Sequence, residues 1–372
     1  MHLKTTALTG ALLGLALLAC KKEDGAKPEA SAAATTTAAA SASAGKEAEL
    51  SFEEQVKAST PLSPKPKSMK LGTQDFTPEL CKFEEPILDK SGMNVIRALE
   101  VIKDKLYLVD AEGKLRGYTI GDGCSLSKDA SFGDDGVLKT NKEIKTLSKD
   151  ANGNLLASNG LFESYMISGG KLKYECKARG QGYIAIHPSG KWGLGSFANA
   201  TVNKLTFGDS ACESEPWVLQ DLSKEDKRKG PFGNVNTIGF VGDLVLVGGI
   251  IPKSKDPNES RVVIAMDANG KEKFRFGKTD KSFDEQKFGW VHAIGPCKPG
   301  ICVVDSNFRR LSAWKKDGSF FGAVKLSDAF DLKYPWVPAF SVTKDGTAYF
   351  AAGQTREKSK VAEGLIYRVK GM

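Results

Sequence analysis

Short β-prone runs, each set off by a tight-turn signal, recur along the chain from about residue 90 onward, and this recurrence constrains the fold more than any other feature. The runs include Lys105-Leu-Tyr-Leu-Val109, Asn154-Leu-Leu-Ala157, Leu244-Val-Leu-Val247, Ile301-Cys-Val-Val304 and Thr347-Ala-Tyr-Phe350. The turn signals are Asp150-Ala-Asn-Gly153, Pro188-Ser-Gly190, Asp267-Ala-Asn-Gly270, Lys316-Asp-Gly318 and Lys344-Asp-Gly346. Asp and Asn tolerate left-handed backbone and Gly has no Cβ penalty, so these read as hairpin turns. None offers the serial oxygen ligands of a calcium loop. Helical periodicity is nearly absent after residue 75. Aligned, the runs give a repeating unit of strand, tight turn, strand, variable loop, strand, turn and outer strand. First strands fall near residues 94, 144, 183, 235, 290 and 337, roughly 40 to 55 residues apart, the period of four-stranded propeller blades. The expected fold is an all-β, six-bladed β-propeller over residues 75–372. The last unit stops at Leu365-Ile-Tyr-Arg-Val369 without an outer strand, and the run Leu80 to Leu88 is the natural strand to supply it and lock the ring, which removes exposed sheet edges.

The segment Val303-Val-Asp305-Ser-Asn307-Phe-Arg309-Arg310, continuing to Lys316-Asp317-Gly318, resembles the NHL repeat, in which a VxD strand, an Asn, an Arg and a DG turn recur. Met266-Asp-Ala-Asn-Gly270 through Gly277 resembles the end of another such repeat. The resemblance implies an NHL-like propeller and little about activity, since propellers are a scaffold with many uses. Some NHL-like propellers are lyases or lactonases that hold a metal through His, Glu, Asn or Asp around the central channel.

The first 19 residues read as a signal peptide. A short basic start, Met1 to Lys4, precedes an uncharged apolar run from Ala7 to Ala19 that is too short to span a bilayer. The run ends Leu17-Leu-Ala-Cys20, which resembles a lipoprotein lipobox, so Cys20 is expected to carry diacylglycerol and a fatty acyl chain such as palmitate. No other cofactor is expected. Residues 20–74, dominated early by Ala, Ser and Thr and later carrying Pro61, Pro64 and Pro66, read as a tether with at most a helical turn at 49–58. The expected location is the cell envelope, as an outer-membrane lipoprotein. The net charge of +8 then points toward acidic envelope polymers or lipid head groups and away from nucleic acid.

Beyond Cys20 the cysteines are Cys81, Cys124, Cys176, Cys212, Cys297 and Cys302, an even set that suggests disulfides in an oxidising compartment. Cys297 and Cys302 bracket a turn and read as a pair. The other four permit three pairings, with neighbouring units favouring Cys81–Cys124 and Cys176–Cys212. The two histidines of the repeats, His187 and His292, fall at different heights in their units, which argues against a shared metal site, and no catalytic or metal-ligating set is expected. Connections between second and third strands, and between units, share one face with the starts of the first strands. Long charged loops lie there, at 223–229, 252–259, 278–285 and 356–360. The candidate ligand-binding residues at that mouth are Arg97, Asn234, Asn236, Trp290, His292 and Trp336. Two function classes follow: an anchored module binding an envelope protein, peptide or polysaccharide through the long-loop face, or a metal-dependent hydrolase or lyase with its site in the channel.

Overall fold

The apolar runs do become strands, and the turn signals the hairpins between them, in a computed structural model that describes residues 50–90, 94–160, 163–177, 182–197, 201–217, 232–251, 261–277 and 285–372. The helix α1 (Phe52–Ala58) and a hairpin of β1 (Met69–Leu71) and β2 (Gln74–Phe76) precede β3 (Pro78–Phe83) and β4 (Ile87–Asp89). Strands then follow in fours. The first four are β5 (Ile96–Ile102), β6 (Lys105–Asp110), β7 (Leu115–Ile120) and β8 (Ser125–Lys128), with the short β9 (Val137–Leu138) on the edge of β7. Next come β10 (Thr146–Lys149), β11 (Leu155–Ser158), β12 (Glu163–Ser168) and β13 (Lys171–Lys177), then β14 (Ile184–Ile186), β15 (Trp192–Phe197), β16 (Thr201–Phe207) and β17 (Cys212–Pro216). They are followed by β18 (Asn234–Val241), β19 (Leu244–Ile250), β20 (Arg261–Met266) and β21 (Glu272–Phe276). The last groups are β22 (Val291–Cys297), β23 (Gly300–Asp305), β24 (Arg310–Trp314) and β25 (Phe320–Lys325), then α2 (Leu326–Phe330), β26 (Trp336–Val342), β27 (Ala348–Thr355) and β28 (Ala362–Val369). The first strand of each group starts within two residues of its expected position.

The fold is an all-β propeller. Strands β10 to β25 make four separate antiparallel four-stranded sheets, and the remainder forms one ten-stranded sheet along β26-β27-β28-β3-β8-β7-β6-β5. Its two halves meet through two parallel residue pairs, Lys82 with Ser125 and Phe83 with Leu126. The first strands pack side by side in the cycle β5, β10, β14, β18, β22, β26 and back to β5. Second strands such as β19 and β23 are buried along almost their whole length, whereas outer strands such as β13 and β17 are mostly exposed. A second strand is covered on both faces by neighbouring sheets, which is why its sequence is continuously apolar rather than alternating.

The core sits in wedges between consecutive groups. Leu99 and Leu108 pack with Tyr349 and Ala351, Val109 and Leu115 with Leu155 and Tyr165, and Leu156 and Met166 with Ile184 and Leu205. Further round, Leu194 and Val202 meet Val235 and Val247, Leu246 and Val263 meet Ile301 and Val303, and Val304 and Leu311 meet Val337 and Phe350.

The N-terminal lock forms in two pieces: β3 pairs antiparallel with β28 from Pro78 to Cys81, and β4 pairs with the start of β28. The disulfides join Cys81 to Cys124 where the halves of the large sheet meet, Cys176 to Cys212 between outer strands of consecutive groups, and Cys297 to Cys302 across the β22–β23 turn. Their Cα separations are 4.7, 5.4 and 5.7 Å, all within the span a disulfide bridges.

One boundary differs from expectation. The tether was expected to run to residue 74, but the compact unit begins at Leu50. Helix α1 opens with a capping box of Ser51 and Glu54. The proline-rich stretch after it is pinned by two side chains and one backbone carbonyl: Leu62 N–H donates to Glu363 at 2.9 Å, Lys65 N–H to Asp331 at 3.1 Å and Lys67 N–H to the Ala329 carbonyl at 2.9 Å. Met69 and Leu71 are fully buried beside Phe330 and Tyr367. The hairpin lies so close on β25 that a Cβ on Gly322 would collide with the Gly72 amide. The composition misled because an extended segment with two buried apolar residues has no periodicity to detect. Residues 1–49, including Cys20 and the expected lipobox, lie outside the described residues.

Candidate functional site

The first strands enclose a central cavity of about 1200 Å³. Because successive strands are antiparallel, their starts share one end of it with the second-to-third-strand connections, and the tight turns share the other. Four first strands carry a bulge near that starting end. The register slips between Ile96 and Ala98 in β5, Val235 and Thr237 in β18, Val291 and Ala293 in β22, and Trp336 and Ala339 in β26. The residues skipped are Arg97, Asn236 and His292, and in β26 Val337 with Pro338, whose missing N–H suits a bulge. A bulge re-aims a side chain, and the coincidence of these at one height makes the mouth locally irregular in a regular fold.

Three of the six expected residues, Arg97, His292 and Trp336, line the cavity. Asn234, Asn236 and Trp290 do not. The bulge leaves Asn236 buried, 3% exposed, with no hydrogen-bond partner for its Oδ1. Asn234 is half-buried at the start of β18, and Trp290 stands beside the His292 ring, 6.2 Å between centroids. Of the long loops, 252–260 and 278–284 and the whole of 223–229 lie outside the described residues.

At the mouth, Arg97 is a strut between neighbouring groups: its guanidinium donates to the Ala111 carbonyl and lies 3.3 Å from the Glu143 carboxylate. His292 meets Trp336 edge to face at 4.7 Å. Its Nδ1 is buried without a partner, and burial pushes the imidazole down to about 4, so the ring is neutral. A neutral imidazole between two indoles can hydrogen-bond a ligand without a desolvated charge.

The segment Asp305 to Arg310 builds the rim. Buried Asp305 accepts the N–H groups of Gly289, Trp290 and Phe308 at 2.5, 3.1 and 3.1 Å, drawing the start of β22 onto the β23–β24 connection. Burial nevertheless raises its pKa. Ser306 donates to the Val337 carbonyl at 2.6 Å, and Arg310 to the Lys287 carbonyl. Asp305 and Arg310 therefore hold the scaffold under Trp290 and Trp336.

Deeper in the channel is a polar cluster that sequence reasoning missed. Lys149 Nζ donates to the Val101 carbonyl (2.7 Å), Ser341 Oγ (2.7 Å) and the Val342 carbonyl (2.9 Å), and lies 3.4 Å from Glu100. Ser341 donates to Glu100 at 2.7 Å and accepts from Val101 N–H at 3.1 Å. Burial raises the Glu100 pKa against the pull of Lys149. With its proton on Glu100 and both lone pairs engaged, the Ser341 hydroxyl is no nucleophile. The cluster pins β5, β10 and β26 together. The detectable signal was a polar residue interrupting otherwise apolar first strands, as in Phe340-Ser-Val342.

At the turn end Asp150, Asp267 and Asp317 are consumed locally, while Asp243 stays exposed 3.6 Å from His187. Asp150 accepts from the N–H groups of Asn152 and Asn154, Asp267 from those of Asn269 and Lys271, and Asp317 from that of Ser319. His187 lies at this end, stacked on Trp192 at 4.7 Å, far along its repeat from the level of His292. Among the described residues no three His, Cys, Asp or Glu side chains gather as a metal-holding group.

No protein-family profile and no curated protein matches this chain. Solved structures do. The chain is similar to a structural-genomics protein of unknown function from Bacteroides thetaiotaomicron, with a TM-score of 0.51 at 10% identity over 79% of this chain and 76% of that one. It is also similar to the Cps50 (Swd1) β-propeller domain of Myceliophteria thermophila, TM-score 0.43 at 11% identity over 77% and 99%. The WD40 β-propeller domain of Doa1 gives 0.44 at 12% identity over 77% and 96%. At such identities the likeness is one of fold, and the last two scores are too low to carry an argument of their own.

Proposed function

We propose that this chain is a lipid-anchored binding or scaffold module of the cell envelope, a six-bladed, NHL-like propeller that holds a protein, peptide or polysaccharide partner at its channel mouth. The observation that carries this is the difference between the two ends of the channel. At one end, coincident bulges present His292 and Trp336 beside the Arg97 strut, while at the other Asp150, Asp267 and Asp317 are spent on backbone N–H groups. Counting six blades rests on the closed cycle of first strands and on a hydrophobic wedge between every consecutive pair. It treats the ten-stranded sheet as two blades joined at the β3–β8 contact. Anchoring at the outer membrane rests on the lipobox at Cys20 and is tested separately: Cys20→Ser should stop palmitate incorporation, and continued labelling would refute it.

The binding reading is tested with a partner captured from the envelope and affinities for purified variants. Aromatic anchors in interface pockets commonly dominate the energy, so Trp336→Ala should weaken binding by about 2 kcal/mol, roughly thirtyfold. Asp345→Ala and Asp267→Ala, on the turn face, should leave it unchanged, with thermal melts as a folding control. Loss of binding in the turn-face variants with Trp336→Ala intact would mean the opposite face is the working one.

A further inference from the structure

We infer that the rim beside Trp336 is built to take an acidic peptide segment of the partner, its carboxylates meeting Arg309 and Lys333 beside Tyr334; this rests on the mouth being the binding face. Tyr334 is 60% exposed, one of only three large apolar side chains so exposed among the described residues. The Arg309 guanidinium lies 5.0 Å from its ring centroid and the Lys333 ammonium 5.5 Å. At this end Lys67 has Asp331 and Arg356 has Glu363. Arg309 and Lys333 have none within ion-pair distance among the described residues, so this part of the rim carries uncompensated positive charge on an aromatic platform.

The platform is also held rigid. Arg309 has a left-handed backbone, φ 51°, that a non-glycine residue rarely adopts. Its carbonyl accepts from Leu326 N–H at 2.7 Å and its own N–H donates to Ser306 at 3.3 Å. Tyr334 N–H donates to Gln354 Oε1 at 2.8 Å. A guanidinium stacked on a ring keeps its N–H edges free for a carboxylate, and its fork loses little freedom on binding. Two residues on, Trp336 opens into a channel whose lining includes Ile186, Phe240, Ile294 and Phe340, which suits an apolar or aromatic side chain of the same bound segment. That combination favours a peptide over an acidic polysaccharide, which offers charge without an apolar side chain. The net charge of +8 would speed the encounter with an acidic partner.

The test is selection of phage-displayed random linear dodecapeptides on the immobilised mature protein, followed by affinities of the synthesised winners. Enriched peptides should carry Asp or Glu next to an aromatic or aliphatic residue and bind more weakly as salt rises. Arg309→Glu and Lys333→Glu should each lower affinity about tenfold or more, whereas Lys316→Glu, the same charge change on the turn face, should not. An absence of enrichment, winners without acidic bias, or equal effects of Arg309→Glu and Lys316→Glu would overturn the inference. So would binding of oligogalacturonate, in place of peptides, that is lost in the rim variants. Trp336→Ala separates the two levels of argument. If acidic peptides need Trp336 but not Arg309 or Lys333, the rim inference fails while the mouth reading stands; if they need none of the three and are lost in Lys316→Glu, both fail.

Discussion

Removing the docked N-terminal segment should cost stability in steps that follow its buried contacts. Leu71 is fully buried among Leu326, Phe330 and Tyr367, on a hairpin laid against β25. Truncating a buried Leu to Ala costs about 2–5 kcal/mol, the spread reflecting how far the site collapses. A peripheral hairpin can follow its missing side chain inward, so we expect about 3 kcal/mol for Leu71→Ala. Beginning the chain at residue 75 removes Met69 as well. At about 1.5–3 kcal/mol for each fully buried apolar side chain, that deletion should cost roughly 3–6 kcal/mol. Beginning it at residue 50 should cost almost nothing, and beginning it at residue 90 also removes β3, β4 and the Cys81–Cys124 bridge and should abolish cooperative unfolding. Urea unfolding followed by tryptophan fluorescence, with disulfides intact, measures each step. Equal midpoints for chains starting at residues 50 and 75 would refute the reasoning, because the hairpin would then contribute nothing to the core.

Other perturbations test the channel. His292 has a folded pKa of about 4, below its ordinary 6.5, so its contribution to stability is whole above pH 6.5 and is lost as pH falls toward 4, up to about 3 kcal/mol in all. His292→Gln should therefore lose less stability than the unmodified protein across that window, measured by unfolding at stepped pH; Glu100 and Asp305, raised by burial, act with the opposite sign and are present in both proteins. Lys149→Met strands the Glu100 carboxylate and should cost about 3 kcal/mol, with much of the loss recovered in the Lys149→Met, Glu100→Gln pair; a double-mutant cycle reads the coupling, and strict additivity would contradict the pin.

How much of this was legible in sequence depends on how local the signal is. The first strands and turns were legible because an apolar run and an Asp-Gly pair each act within a few residues. The lock strand was legible by elimination, as an apolar run with no other partner. The docking of residues 50–74 was hidden, since Met69 and Leu71 are buried by Phe330 and Tyr367 from the far end of the chain. Of the six residues expected to bind a ligand at the mouth, Arg97, His292 and Trp336 line the cavity. Asn234, Asn236 and Trp290 do not line it: Asn236 is turned into the core at the β18 bulge, and Asn234 and Trp290 stand at or before the very start of their strands. The Glu100–Lys149–Ser341 cluster joins three first strands, and Arg309 meets Tyr334 from different connections. Such juxtapositions exist only once the ring has closed.

The most direct test of the mouth as the working face is photocrosslinking in the cells that make the protein. A benzoylphenylalanine placed at Trp336 or Tyr334 should give discrete adducts with one partner on irradiation, identified by mass spectrometry, while the same probe at Asp345 or Asp317 on the turn face should give none. Adducts formed from the turn face, with the mouth positions silent in a protein that is folded and correctly located, would contradict the account.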